Sequence, residues 1–171
     1  MAPLVEMTFG DLSLFNLKDK TREKANISFG SNEWGSADCS RDLNVPFGPH
    51  GIDLIQREDG RHQLAVVSHY PKESVEMFEL KEKDGWMLEW MGCVNVDGLY
   101  YFNDVSLDKR GAFYATHMFD PDTSIANVVW NVFVKSDTGM VIRWSKDNTF
   151  EELDYTAGSF PNGIALDREN E

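Results

Sequence analysis

The sequence predicts an all-β fold, a partial β-propeller of about three blades built from antiparallel, four-stranded sheets. The first observation is a pattern that occurs three times: a polar residue, a small or acidic one, a β-branched one and then, two positions later, a leucine. It begins at His50, Asn103 and Asn162, at intervals of roughly 50 to 60 residues, a period typical of propeller blades. The second observation is that tight-turn residues separate short apolar segments between these repeats. If the three segments are equivalent inner strands, their leading side chains face one central axis.

The first element predicted is the outer hairpin of an incomplete blade, at residues 10–30. Residues 10–17 alternate apolar and polar side chains, a turn follows at residues 18–20, and residues 25–29 read as the return strand. Residues 30–48 are rich in Gly, Ser, Asn and Asp, which predicts a loop.

A complete blade is predicted at residues 49–95. Its strands are expected at residues 50–55, 63–69, 74–81 and 86–94. Lys83-Asp84-Gly85 is a strong hairpin signal between the last two. Four short strands with tight turns form an up-and-down sheet of the size of one blade.

A second blade is predicted at residues 102–157, and residues 160–171 read as the first strand of the next. Its strands are expected at residues 103–108, 112–117, 140–145 and 150–155. Between its second and third strands lies an apolar insertion, residues 120–138, with Trp130 at its centre. Two interpretations stay open: the insertion lines a substrate pocket, or it covers a sheet edge or adds a strand.

Propellers close with roughly four to eight blades, so a chain with two full blades and two partial ones cannot close a ring alone. The sequence therefore predicts either part of a longer protein or self-association of two copies. The first is favoured, because the sequence stops within a repeat.

The net charge and composition of the chain limit the classes of partner that it can bind. The net charge of −13, from 16 Lys and Arg against 29 Asp and Glu, excludes nucleic acid and disfavours anionic membranes. The acidity suits either solubility or a site for a hard cation such as calcium. No signal peptide is visible in residues 1–10 and no membrane-spanning segment is present, so a soluble protein is expected, cytoplasmic by default. Cys39 and Cys93 are expected to be free buried thiols, although one bridge stays open.

The candidate functional residues lie at the starts of the three repeats. Asn103 and Asn162 offer amide oxygens and Asp104 a carboxylate, the hard ligands that calcium takes. The alternative is that Asn-Asp and Asn-Gly are merely turn residues, but their recurrence at matching positions favours function.

His50 occupies the same place in the first repeat, where a neutral imidazole suits a general base. His69 ends the neighbouring strand, within reach to pass the proton on. His117 ends the corresponding strand of the next blade and is expected near the same face, without a separate role. His62 lies in a turn and is expected to be solvated.

Together these segments resemble the paraoxonase/arylesterase family. The resemblance covers about residues 10–167, in order and at compatible spacing. It is carried by Phe47-Gly48-Pro49-His50-Gly51-Ile52, Val67-Ser68-His69, Ser74-Val75-Glu76-Met77-Phe78, Asn103-Asp104-Val105, Phe113-Tyr114-Ala115-Thr116 and Asn162-Gly163-Ile164.

The resemblance implies half of a six-bladed propeller and a calcium-dependent hydrolase of lactones and aryl esters, with a small ester or lactone as substrate. It makes Asn103 and Asn162 ligands of a catalytic calcium. It gives Asp104 and the backbone carbonyl of Ile52 to a structural calcium. By the same resemblance, His50 is the general base and His69 assists it.

The family also supplies a Glu-Asp pair before the outer hairpin and an Asp-Asn pair from later blades, and this sequence contains neither. Weak calcium binding and loss of activity therefore stay open for this chain by itself. Two other functions stay open. One is a sugar lactonase of the gluconolactonase type, which needs a more polar pocket. The other is an inactive propeller fragment that only binds a partner.

Overall fold

The structure, a computed structural model, describes residues 9–42, 44–46 and 48–168. Residues 1–8, where no signal peptide was expected, Phe47 of the resemblance motif and residues 169–171 of the predicted last strand lie outside this part. Within it, the chain forms eleven strands and one helix, so the predicted all-β class is confirmed. The strands are β1 (Ser13–Asn16), β2 (Thr21–Lys24), β3 (Asn26–Phe29), β4 (Pro49–Gln56), β5 (His62–Ser68), β6 (Ser74–Glu82), β7 (Trp86–Asn95), β8 (Phe102–Leu107), β9 (Phe113–His117), β10 (Gly139–Ser145) and β11 (Thr149–Gly158). The helix is α1 (Ile125–Val134).

Two antiparallel meanders form the body of the protein. Strands β4, β5, β6 and β7 pair in sequence order, and β3 joins the outer edge of β7 in parallel, which makes this five-stranded sheet mixed. Strands β8, β9, β10 and β11 form the second meander. Short turns join most of these strands because the connections carry turn formers, such as Asp84-Gly85, where both residues have positive φ.

The N-terminal region differs from its prediction. The return strand of β1 is β2, whose four residues are all exposed and so gave no apolar alternation to read. Residues 25–29 were expected to pair with β1, but β3 lies beside β7 instead, with Ile27 opposite Leu88. A parallel partner some 60 residues away leaves no local signal in the sequence.

Both meanders contribute to one apolar core. Its large buried side chains include Trp34 of the loop before β4, Met77 of the first meander, and Phe102, Phe113 and Trp144 of the second. Phe113 and Trp144 stack with their ring centroids 5.3 Å apart. Burying each such side chain stabilises the fold by about 1.5–3 kcal/mol, so this shared core holds the two sheets together.

A disulfide joins Cys39, in the loop before β4, to Cys93 in β7. The expectation of two free thiols was therefore wrong. The two cysteines are 54 residues apart, so no local pattern announces their pairing. Closing a loop of that length restricts the unfolded chain and stabilises the fold by about 2–4 kcal/mol. Disulfides persist mainly in oxidising compartments, which disfavours the cytoplasmic default.

Side-chain hydrogen bonds, rather than a strand ladder, hold three segments side by side. The Asp53 carboxylate of β4 accepts a hydrogen bond from the backbone N–H of Leu107 at 2.8 Å. The Ser106 hydroxyl of β8 accepts one from the N–H of Leu166 at 3.2 Å. Residues 161–167 form neither helix nor strand, in contrast to the inner strand predicted from residue 160. They nevertheless lie along β8, as β8 lies along β4.

The apolar insertion forms α1 rather than an added strand. The Ser124 hydroxyl caps its first turn by accepting a hydrogen bond from the N–H of Asn127, and Lys135 ends it in a left-handed conformation. None of its residues is buried, and Phe133 is 81% exposed, so α1 covers no sheet edge. Among the residues described, no helix has the length and apolar character needed to cross a membrane.

Candidate functional site

Two β-bulges at matching positions place the first candidate residues. Between the pairs Pro49–Ser68 and Ile52–Val66, two residues of β4, His50 and Gly51, stand opposite one residue of β5. Strand β8 repeats this irregularity. Between Phe102–His117 and Val105–Ala115, two residues, Asn103 and Asp104, stand opposite one residue of β9. Bulges redirect side chains next to functional sites, and here they do so at equivalent points of neighbouring sheets.

The two bulges touch each other. His50 Nδ1 lies 2.7 Å from the backbone oxygen of Asn103. A carbonyl oxygen can only accept, so the His50 ring carries a proton on Nδ1, and in the neutral ring Nε2 keeps a lone pair. Gly51 permits this approach, because a Cβ there would lie 2.5 Å from the Asn103 oxygen and from Asp104 Cα.

The segment 161–167 reaches the same place from the other side of β8. The N–H of Ile164 donates to Asp104 Oδ2 at 3.1 Å. The Thr116 hydroxyl accepts from the N–H of Asp104 at 3.1 Å and donates to the backbone oxygen of Asn162 at 2.6 Å. The structure thus brings His50, Asn103, Asp104 and Asn162 from three distant parts of the sequence to one region.

Ile52 and His69 flank this region. Ile52 follows the first bulge and pairs with Val66, with its side chain 55% exposed. The His69 ring lies 4.9 Å from that of His50, centroid to centroid. Tyr101 stacks on the other side of His69 at 4.7 Å, almost parallel to it.

Glu73 is a site residue that the sequence analysis missed. Its two carboxylate oxygens lie 2.8 and 2.9 Å from His69 Nδ1, so this ring too carries its proton on Nδ1. Both rings of the pair therefore present Nε2 as the basic nitrogen. The available signal was a glutamate four residues after His69, across a turn that contains Pro71.

Tyr101 was missed as well. Burial, and secondarily the charge of Glu73, raises the pKa of its phenol, which keeps the ring neutral. Nothing in the sequence distinguishes Tyr101 from the neighbouring Tyr100, since only the tertiary contact with His69 sets it apart.

A cavity of about 300 Å³ opens beside the histidine pair. It is lined by Phe9, Gly48, Pro49, His50, His69, Tyr70 and Tyr101. Its walls are mainly aromatic, and they come from the segment before β1, the start of β4 with the residue before it, the loop after β5 and the segment before β8. No residue of α1 lines it, so the interpretation of the insertion as a pocket wall for this cavity was wrong.

The other two histidines lie outside this cavity. His117 pairs with Phe102 in the ladder, where Ser68 pairs with Pro49, so by register it corresponds to Ser68 and not to His69. Its Nδ1 accepts from the N–H of Tyr101 at 3.1 Å, and burial lowers its pKa, which favours the neutral ring. His62 is exposed at the start of β5.

The candidate metal ligands are of the type that a hard cation prefers, but they are few. Asn103, Asp104 and Asn162 contribute amide and carboxylate oxygens, which calcium prefers. Among the residues that the structure describes, no group of three or more His, Cys, Asp and Glu side chains gathers as a metal site. Calcium takes six to eight oxygens, so these residues would form part of a coordination sphere that contains one carboxylate.

Comparison with known proteins adds a family. The family model described as Arylesterase matches residues 7–171. No curated protein matches the chain. The matched range contains both meanders and every candidate residue described above.

Proposed function

Because the chain belongs to the paraoxonase/arylesterase family, we propose that it forms the site of a calcium-dependent hydrolase of small esters and lactones. The observation that carries this proposal is the hydrogen bond between His50 Nδ1 and the backbone of Asn103. It places a basic nitrogen next to the oxygen donors of the second bulge, at the mouth of a cavity large enough for a small ester.

The proposal includes the β-propeller fold. We take β4–β7 and β8–β11 as neighbouring propeller blades, with β4 and β8 as their innermost strands and residues 161–167 as the innermost segment of the next. The matching bulges support this reading, since equivalent strands of repeated blades share their irregularities. So does the order of contacts, in which β4 touches β8 and β8 touches residues 161–167.

Asn103 and Asn162 are the proposed ligands of the catalytic calcium. Asp104 and the backbone carbonyl of Ile52 would hold a second, structural calcium. When bound, calcium supplies a positive charge that polarises the ester carbonyl. Asp104 supports the arrangement without a metal as well, because it fixes the N–H of Ile164, two residues after Asn162.

His50 is the proposed general base. Its Nε2 takes one proton from water as the water oxygen adds to the ester carbonyl carbon. The protonated ring then returns that proton to the leaving alkoxide or phenolate oxygen as the C–O bond breaks. His69 lies beside His50, and in its neutral form with the proton on Nδ1 it has a lone pair on Nε2, so it can accept the proton from His50 and return it.

The aromatic lining favours aryl esters and apolar lactones over sugar lactones. Phe9, Tyr70 and Tyr101 provide stacking surfaces and few hydrogen-bond donors for the hydroxyls of a sugar. A gluconolactonase-type specificity is for that reason the weaker alternative.

The test is turnover by the purified chain. With millimolar calcium, we expect hydrolysis of phenyl acetate and of a six-membered aliphatic lactone, measured as initial rates. Chelation with EGTA should abolish both activities, and added calcium should restore them. Magnesium should not, because it demands a smaller octahedral site. Hydrolysis that persists undiminished in EGTA would contradict calcium dependence, and no turnover of either substrate would contradict the enzymatic function.

A further inference from the structure

Glu73 is a buried carboxylate that the proposed reaction does not use. It precedes β6 and is 8% exposed. A buried carboxylate is costly unless its oxygens are hydrogen-bonded. Among the described residues, the basic side chain within ion-pair distance of Glu73 is that of His69, at 2.8 Å. Its carboxylate also accepts a hydrogen bond from the backbone N–H of Phe102, at 3.2 Å.

We propose that Glu73 is a positioning residue, which fixes the tautomer and orientation of His69 and thereby its place in the catalytic pair. This inference rests on the proposed function. A carboxylate accepts hydrogen bonds and cannot donate them, so it selects the tautomer of His69 with the proton on Nδ1. Without such a partner, a neutral histidine ring can place its proton on either nitrogen.

The surroundings of His69 leave this ring few alternatives. Tyr101 stacks on one side with an interplanar angle of 6°, and His50 lies 4.9 Å away on another. The stacking of Tyr101 does not choose between the two ring nitrogens, because it engages the face of the ring. The His50 ring is tilted by 53° to that of His69. Among the described residues, the group within hydrogen-bond distance of a His69 ring nitrogen is the Glu73 carboxylate. The choice therefore depends on Glu73.

Glu73 also connects His69 to the metal-ligand side of the site. The backbone N–H of Phe102 donates a hydrogen bond to the Glu73 carboxylate, and Phe102 is the residue immediately before Asn103. The same side chain thus holds His69 and the entry to the bulge of β8. Its own backbone is fixed in turn, since its carbonyl accepts from the N–H of Val96 at 2.9 Å.

The experiment reads the tautomer directly. Nitrogen-15 NMR of the histidine rings, at about pH 8 where ordinary histidines are neutral, reports which nitrogen carries the proton. In the wild type we expect the Nδ1–H form for both His50 and His69. In Glu73→Ala we expect His69 to change to the Nε2–H form or to a mixture, while His50 keeps Nδ1–H and serves as the internal control.

Activity gives the second readout. Glu73→Ala should lower kcat for phenyl acetate by about 10- to 100-fold, the usual cost of losing a partner that orients an active-site histidine. KM should change by less than about twofold, because Glu73 does not line the cavity. Glu73→Gln keeps an accepting oxygen, so His69 should retain its wild-type tautomer in this variant. The decrease in log kcat for Glu73→Gln should be less than half of the decrease for Glu73→Ala.

Three results would overturn the proposal. One is an Nε2–H tautomer for His69 in the wild type. Another is an unchanged His69 spectrum in Glu73→Ala. If the alanine variant does not fold, an Nε2–H tautomer of His69 in Glu73→Gln takes the place of that result. The last is a changed tautomer with unchanged kcat. Absence of wild-type turnover would instead contradict the proposed function, and the NMR measurement, which needs no substrate, would still decide the role of Glu73.

Discussion

Replacing His50 with glutamine is expected to reduce kcat for phenyl acetate by about 10²- to 10⁴-fold, the contribution of a general base. Glutamine has no basic nitrogen to take the proton from water. Its carboxamide N–H can still donate to the backbone oxygen of Asn103, which His50 Nδ1 contacts at 2.7 Å. Because His50 is exposed, the free energy of unfolding should change by less than about 0.5 kcal/mol.

His62→Gln is the matched control, since His62 is also exposed but stands at the other end of the β4–β5 ladder. It should leave kcat and KM as in the wild type. Thermal unfolding of both variants, followed by circular dichroism, checks that neither has lost its fold. A His50→Gln enzyme with at least half of the wild-type kcat would remove His50 from the mechanism.

Substituting Gly51 with alanine is expected to disturb the site and the fold together. The new Cβ would lie 2.5 Å from the Asn103 oxygen, from Asp104 Cα and from Asp104 Oδ1. Two of these atoms belong to the backbone of β8, which cannot move aside as a flexible side chain does. We expect the free energy of unfolding to fall by about 1–3 kcal/mol. A displacement of about 1 Å between His50 and Asn103 would also lower kcat by about 100-fold.

Gly158→Ala is its control, because a Cβ there meets only the Thr156 oxygen, at the ordinary distance of 3.9 Å. Chemical denaturation gives the free energies of unfolding, and initial rates give kcat. Gly51→Ala with the stability and activity of Gly158→Ala would mean that β4 and β8 do not approach each other as described.

Much of the sheet could be predicted because its signals are local. The strands β4 to β11 lie close to their predicted positions, since apolar segments alternate with turn formers such as Asp84-Gly85 and Lys146-Asp147-Asn148. The helix α1 was missed for a related reason. Its valines and its phenylalanine suit strands as well as helices, and the caps at Ser124 and Lys135 that define its ends carry a weaker signal than the apolar run.

Features that depend on distant contacts could not be predicted. The disulfide between Cys39 and Cys93 and the parallel pairing of β3 both join distant parts of the sequence. The contact of Glu73 with His69 spans only four residues, but the sequence does not show that the turn between them brings the two side chains together. That the residues at the repeat starts lie in one region could be predicted, because a repeat marks equivalent positions without any knowledge of the fold. The bulges that contain His50, Asn103 and Asp104 could not be predicted, since a bulge depends on the partner strand as much as on its own residues.

The central claim is that two separate segments, the bulge of β8 with Asn103 and residues 161–167 with Asn162, supply oxygen ligands of one catalytic calcium. Isothermal titration of calcium into the wild type and into Asn103→Ala measures it without a substrate. We expect the wild type to bind calcium at this site with a Kd of about 10⁻⁴ to 10⁻³ M, because Asn103 and Asn162 are uncharged ligands. The heat of this binding step should be lost in Asn103→Ala. No binding by the wild type, or the same Kd in both proteins, would contradict the site.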